Sequence, residues 1–208
     1  MTMRSRILAA AAVALAAPFA TRAGPGAEIG LRTGFALPFG DLAANVPLSS
    51  SFNGFVPLGV ELGVRYTPAL SVLVSFGYAF GLTTNCPAGD SCSGHQINLG
   101  LDLRYHARPH QTVDPWIGLG AGFEWLGASE SGSFNGDLTL NGFEYVHVQL
   151  GADLAASEKV RVGPFFELGL GQYRSLKASA GGVSSSADIL DKAVHEFLTF
   201  GLRVSFLL

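Results

Sequence analysis

The chain has 208 residues, 48% of them hydrophobic and only 14% charged, with a formal net charge of −3. Soluble domains carry about 25% charged residues, so water is a poor match for this surface, and the acidic balance excludes nucleic acid, which needs clustered Lys and Arg. Beyond the N-terminus no stretch holds 18 consecutive apolar residues, which argues against a transmembrane helix.

In chain order, the first element is an export leader. Arg4 and Arg6 precede an apolar run from Ile7 to Ala17 that is too short to span a bilayer, and Thr21-Arg22-Ala23 ends on the small residues a signal peptidase reads. Residues 1–23 are therefore expected to be a signal peptide and 24–208 one domain. The leader takes three of the 13 basic residues and none of the 16 acidic ones, leaving 10 against 16 in the mature chain.

From there a period of two recurs, the signature of a strand with one apolar and one polar face. The apolar face holds Ile29, Leu31, Phe35, Leu37 and Phe39 in a first strand (28–39), then Leu58 to Tyr66 in a second (57–66) and Leu70 to Phe80 in a third (70–80). A fourth runs through Ile97–Tyr105 (96–106), a fifth through Ile117–Trp125 (116–126), and a sixth through Val146–Leu154 (143–155). A seventh holds Val162, Phe166, Leu168 and Leu170 (160–173), and the chain ends on an eighth, HEFLTFGLRVSFLL, at 195–208. Connections alternate between short (67–69, 108–115, 157–159) and long polar ones (40–54, 81–95, 127–142, 174–194), with a helical turn expected only around 187–194. Short turns alternating with long loops is the layout of an outer-membrane barrel, so the fold class is all-β, an eight-stranded antiparallel up-and-down transmembrane β-barrel.

The face that meets lipid can be decided from composition. A soluble barrel is carpeted with Lys and Glu outside, yet the only lysines are Lys159, Lys177 and Lys192, all in connections. The polar strand faces instead carry glycines, among them Gly30, Gly59, Gly63, Gly118, Gly120 and Gly163. Small residues waste an exposed strand face but make room inside a narrow barrel, so the polar face is the inner one. It carries the acids Glu28, Glu61, Asp102, Glu124, Asp153 and Glu167 and the arginines Arg32, Arg65, Arg104, Arg161 and Arg203, together with His106, His147, Gln96, Asn98 and Gln149. Near-equal numbers of opposite charge predict a paired network, since unpaired charges there are costly. The pattern ExGxR recurs as Glu28–Arg32 and Glu61–Arg65 on consecutive antiparallel strands, which should set Glu28 toward Arg65 and Arg32 toward Glu61. Such an interior is either a plug held by ion pairs or a gated narrow conduit whose pairs rearrange.

Cys86 and Cys92, the only cysteines, lie in the second long loop of an exported chain and are expected to form a disulfide. The rival is a weak metal site with His95. Loops and rims carry Asp41, Asp90, Glu130, Asp137, Glu144, Asp188, Asp191 and Glu196 against Arg174, Lys177 and Lys192, an acidic mouth that reads as solvated charge or as an attractor of cations and basic partners. There is no GxSxG, HExxH or phosphate loop; His195 beside Glu196, with many loop serines, is the one thin hint of a lipid-modifying enzyme. No enzyme activity, cofactor or metal is expected.

The segments LRTGFALPFGDL (31–42), DPWIGLGAGFEW (114–125) and LGADLAASEKVRVGPFFELGLGQY (150–173) resemble small outer-membrane β-barrel proteins of the OmpA/OmpX/opacity type, and most resemble such barrels from myxobacteria. The resemblance covers nearly all of 24–208 and implies residence in outer-membrane lipid. The last strand, with Phe200, Leu202, Val204, Phe206 and Leu208, is similar to the C-terminal signal read by the barrel-assembly machinery, with Leu208 where an aromatic is usual. The role implied is structural or surface-interacting, through an unnamed partner of the loops; the alternative is a small channel or a transporter of small hydrophobic compounds.

Overall fold

The computed structural model describes residues 26–84, 86–132 and 135–208; the leader expected at 1–23 lies outside them. Among the described residues the strands are β1 Gly26–Ala43, β2 Val46–Pro47, β3 Phe52–Thr67, β4 Leu70–Thr83, β5 Ser91–His106, β6 Val113–Ser131, β7 Gly136–Ala155, β8 Val160–Ala180, β9 Val183–Asp188 and β10 His195–Leu207. Eight of them close a ring in the order β10-β1-β3-β4-β5-β6-β7-β8, with β8 returning to β10. Every pairing is antiparallel. Closure leaves no open edge among the staves, the condition for a sheet to cross a bilayer where backbone groups cannot turn to water.

The polarity of a soluble domain is inverted. Leu101, Leu119 and Leu202 point outward and are more than half exposed, while Arg104, Glu61 and Arg203 on adjacent inward positions are at most 1% exposed. The staves therefore face acyl chains with leucine and phenylalanine and enclose their charges. Register explains how so narrow a barrel holds them. Glu28 sits opposite Gly63, Arg32 opposite Gly59, Glu61 opposite Gly30, Asp102 opposite Gly120, Arg104 opposite Gly118 and Arg203 opposite Gly163. Each long side chain lies over a neighbour that has none. A Cβ at Gly120 would collide with the His147 ring and one at Gly151 with the Trp116 ring.

The staves run longer than the periodicity suggests. A bilayer needs about 9–11 residues per strand, yet β7 has 20 and β8 has 21. The loop expected at 127–142 shrinks to the few residues between β6 and β7, and much of 174–194 is the hairpin β8–β9. The helical turn expected at 187–194 is absent: β9 continues to Asp188. The described chain instead has one 3-10 turn at Leu48–Ser50, inside the β1–β3 loop. In these extensions β9 pairs with the end of β8 through mostly small and polar residues, all six of β9 exposed.

Candidate functional site in the lumen

Below the loop end the interior is one hydrogen-bonded network to which all eight staves contribute. At the short-turn end, Arg65 donates through Nε to Glu28 Oε2 (3.1 Å) and through Nη2 to His106 Nε2 (2.9 Å). A guanidinium cannot accept, so that ring nitrogen must be the acceptor, and Nδ1 carries the proton it gives to Asp114 Oδ2 at 2.8 Å. Ser71 adds a donor to Glu28 at 2.7 Å. Arg161 reaches the carbonyl of Pro109 at 2.6 Å and Asp114 at 3.8 Å.

Arg203 is the hub. It bonds Glu61 through Nε (2.7 Å), Glu28 through Nη2 (2.7 Å) and Asp153 through Nη1 (3.3 Å). Arg104 grips both oxygens of Glu61 (3.1 and 2.8 Å), bonds Gln149 (3.0 Å) and lies 4.3 Å from the centroid of Trp116. The indole N–H in turn satisfies Asp153 at 3.0 Å. Planar forks that meet carboxylates on two sides suit so narrow a space.

Higher up, Gln149 links Asp102 (3.0 Å) and Glu167 (2.8 Å), and Arg32 pairs with Glu167 at 2.6 Å. Arg32 lies 3.9 Å from Glu61, so its closer partner is two strands away, on β8 beyond β10, rather than on the next strand. The bore is narrow enough that second-neighbour strands compete with adjacent ones. His147 stands between Asp102 (2.6 Å) and Glu144 (2.7 Å). It can serve both only with a proton on each nitrogen or with one carboxyl protonated, so this triad holds one more proton than a neutral ring between two carboxylates. Glu124 faces His195 Nε2 at 2.6 Å, and that ring stacks on Tyr173 at 4.2 Å. His195 is fully buried and is the first residue of β10.

The loop end of the lumen is apolar. Phe52, Phe55 and Phe197 pack as rings 4.9 and 5.6 Å apart, joined by Leu42, Leu48, Leu126 and Leu140. The β1–β3 loop folds inward to deliver Leu48, so a polar network is capped by a hydrophobic plug. Above it lies an open vestibule of about 700 Å³ floored by Phe52 and Leu138, with Ser51, Thr83, Ser185 and the carboxyls of Glu130 and Asp137 on its walls.

Strict alternation misses several of these residues for a common reason. An extra residue at Tyr145 shifts the pairing of β7 with both neighbours, so Glu144 and His147, three apart, share the inner face. Alternation places Glu144 at the rim; the structure puts it inside. A second bulge, between Phe52 and Gly54, turns Phe52 inward beside Phe55, which already shares the inner face with Glu61. Asp114 falls in an expected connection but opens β6 and is fully buried. Bulges leave only faint marks in sequence, and these two sit at unremarkable Asn and Tyr residues.

Cys86 and Cys92 are joined, with Cα atoms 5.8 Å apart. Both thiols are consumed, which removes them as metal ligands beside His95. Reduction should release about 2 kcal/mol of chain-entropy stabilisation, confined to the β4–β5 loop. Dithiothreitol is therefore expected to speed proteolysis within residues 84–92 while the unheated protein keeps its compact gel mobility. On β10, Phe200 and Leu202 face outward, about half exposed, with Val204 and Phe206 on the same face, and Leu208 follows the strand end.

The family described as "Outer membrane protein beta-barrel domain" matches residues 7–168. No curated protein matches the chain. Among solved structures, a major outer membrane protein from Thermus thermophilus superposes with a TM-score of 0.62 at 10% identity, covering 88% of this chain and 99% of that one. Neisserial surface protein A superposes at 0.50 with 14% identity, covering 87% and 96%. At such identities the likeness is one of fold.

Proposed function

The chain belongs to the outer membrane protein beta-barrel domain family, and we propose that within the bacterial outer membrane it acts as a non-conducting, non-catalytic barrel that displays its loops to a surface partner. The observation that carries this reading is the double filling of the lumen, by ion pairs around Arg203 and by the plug around Phe55. An ion following the axis would have to break charge pairs from several staves and then displace packed rings. We further assign the last strand, Phe200 to Leu208, as the segment read by the barrel-assembly machinery.

Single-channel recording of refolded protein in a planar bilayer tests the proposal. No discrete steps are expected at any holding potential; steady ion-selective steps would overturn the plugged reading and make the Arg32 and Arg65 levels the gate. A second reading, passage of small hydrophobic compounds, draws on one feature, the vestibule floored by Phe52 directly above an apolar plug. It predicts that Phe52→Ala raises uptake of such a compound into vesicles, which a purely structural barrel would not do.

A further inference from the structure

Of the arginines that point into the lumen, four hold a carboxylate within hydrogen-bonding reach: Arg32 at 2.6 Å, Arg65 at 3.1 Å, Arg104 at 2.8 Å and Arg203 at 2.7 Å. Arg161 is the exception, although it is only 8% exposed. The nearest acid, Asp114, stands 3.8 Å from Nη1 and already accepts from His106 and from the Arg108 backbone N–H. Nη2 donates to a neutral group, the Pro109 carbonyl, at 2.6 Å. Nε and Nη1 are buried with no hydrogen-bond partner among the described residues.

Opposite Arg161 in the ladder between β8 and β10 is Ser205, fully buried, whose Oγ has no partner either. Registered neighbours therefore leave three polar atoms unsatisfied on one inner surface. Such atoms are few in folded proteins, and a buried cation without its counter-charge is costlier still. All three can donate, so an acceptor would complete them, and the uncompensated guanidinium favours one that is negatively charged.

The approach is charged to match. Arg161 stands at the short-turn end, the periplasmic end of such barrels. The turns there expose Arg108, His110 and Lys159 against one acidic side chain, Glu158, the reverse of the acidic loop end. A cationic rim gathers small anions at its mouth. Pro109, half-buried in the turn that bears Arg108 and His110, reaches Arg161 through its carbonyl. That neutral oxygen holds a place that a charged one would take more strongly.

We propose that Arg161 and Ser205 form an oxyanion site at the periplasmic mouth of the lumen, for a small soluble phosphate or phosphate monoester that displaces the Pro109 carbonyl and frees its turn. The site faces inward, away from the acyl chains, so the anion comes from solution and not from a lipid headgroup. The unprotonated oxygens of a phosphate can serve Nε, Nη1 and Ser205 Oγ together. Asp114 opposes any anion here, and the two bonds it already receives offset part of that repulsion. Nothing has to cross the lumen, so the site is independent of whether the barrel conducts.

The test is calorimetric titration of inorganic phosphate into the full chain refolded in an uncharged detergent, paired with hydrogen exchange over residues 107–113. Saturable binding is expected, with faster exchange in the turn once phosphate is bound. Arg161→Gln should weaken binding about tenfold and leave turn exchange insensitive to phosphate; Ser205→Ala should weaken it less. Arg161→Lys keeps the charge, guards against a folding failure of Arg161→Gln, and should still lose several-fold, since one ammonium cannot replace both Nε and Nη1. Folding is scored by unheated gel mobility. Arg108→Gln, on the exposed rim, should lower affinity only at low salt. No saturable binding would mean that water completes Arg161 and would overturn the site. Binding untouched in whichever Arg161 variant folds, or abolished by Arg108→Gln alone, would place the anion on the rim and overturn it too. Slower turn exchange with phosphate bound would overturn the displacement of Pro109.

Discussion

Arg203→Met is expected to lower the stability of the folded barrel by about 3–5 kcal/mol, the range for removing one member of a buried charge network. The guanidinium is 1% exposed and bonds carboxylates from β1, β3 and β7. Without it Glu28 keeps Arg65 and Glu61 keeps Arg104, but Asp153 keeps only the Trp116 N–H. The cost is that of stranding carboxylates away from water, and does not measure what the intact network contributes, which is often small. Arg203→Lys should recover only part, since one ammonium cannot span Glu61 and Glu28 from Nε and Nη2 together. Adding Glu61→Gln to Arg203→Met should restore some stability, a coupling that a double-mutant cycle reads directly. Urea unfolding in lipid vesicles, followed by Trp fluorescence, provides the numbers. A loss below about 1 kcal/mol would mean water solvates those acids, and with that the plugged lumen fails as well.

Phe55→Ala is expected to cost about 3–5 kcal/mol by a different route, the cavity left by a deleted core ring. Phe55 is fully buried, with ring contacts to Phe52 at 4.9 Å and Phe197 at 5.6 Å. The gap lies under the inward-folded β1–β3 loop, so protease access near Leu48 should rise along with the loss of stability. Conductance should stay at zero, because the ion-pair levels below remain closed. If Phe55→Ala alone opens discrete steps, the seal lies in the apolar plug and the charge network is permeable. The two variants thus separate the two closures.

Much of this molecule can be read without coordinates. The period of two in eight segments, lysines confined to connections, and glycines on the polar faces together require a barrel with leucine outside and charge inside; those are local properties of a pleated chain and its solvent. Even the near balance of inward Glu, Asp and Arg follows from alternation. What alternation cannot supply is partnership. Arg32 meets Glu167 two strands along the ring because the bore is narrow, and no spacing along the chain encodes a contact between strands that do not pair. Glu144 and Phe52 face inward because bulges at Tyr145 and beside Phe52 each add a single residue to one strand, reversing inside and outside beyond it. Pro57 is visible in sequence as a proline in a strand, but the neighbour that its missing N–H would have faced is set by the register of β3 against β1. Sequence decided the faces of the strands, since solvent acts residue by residue; the closed register decided which charges meet, since that depends on two strands at once.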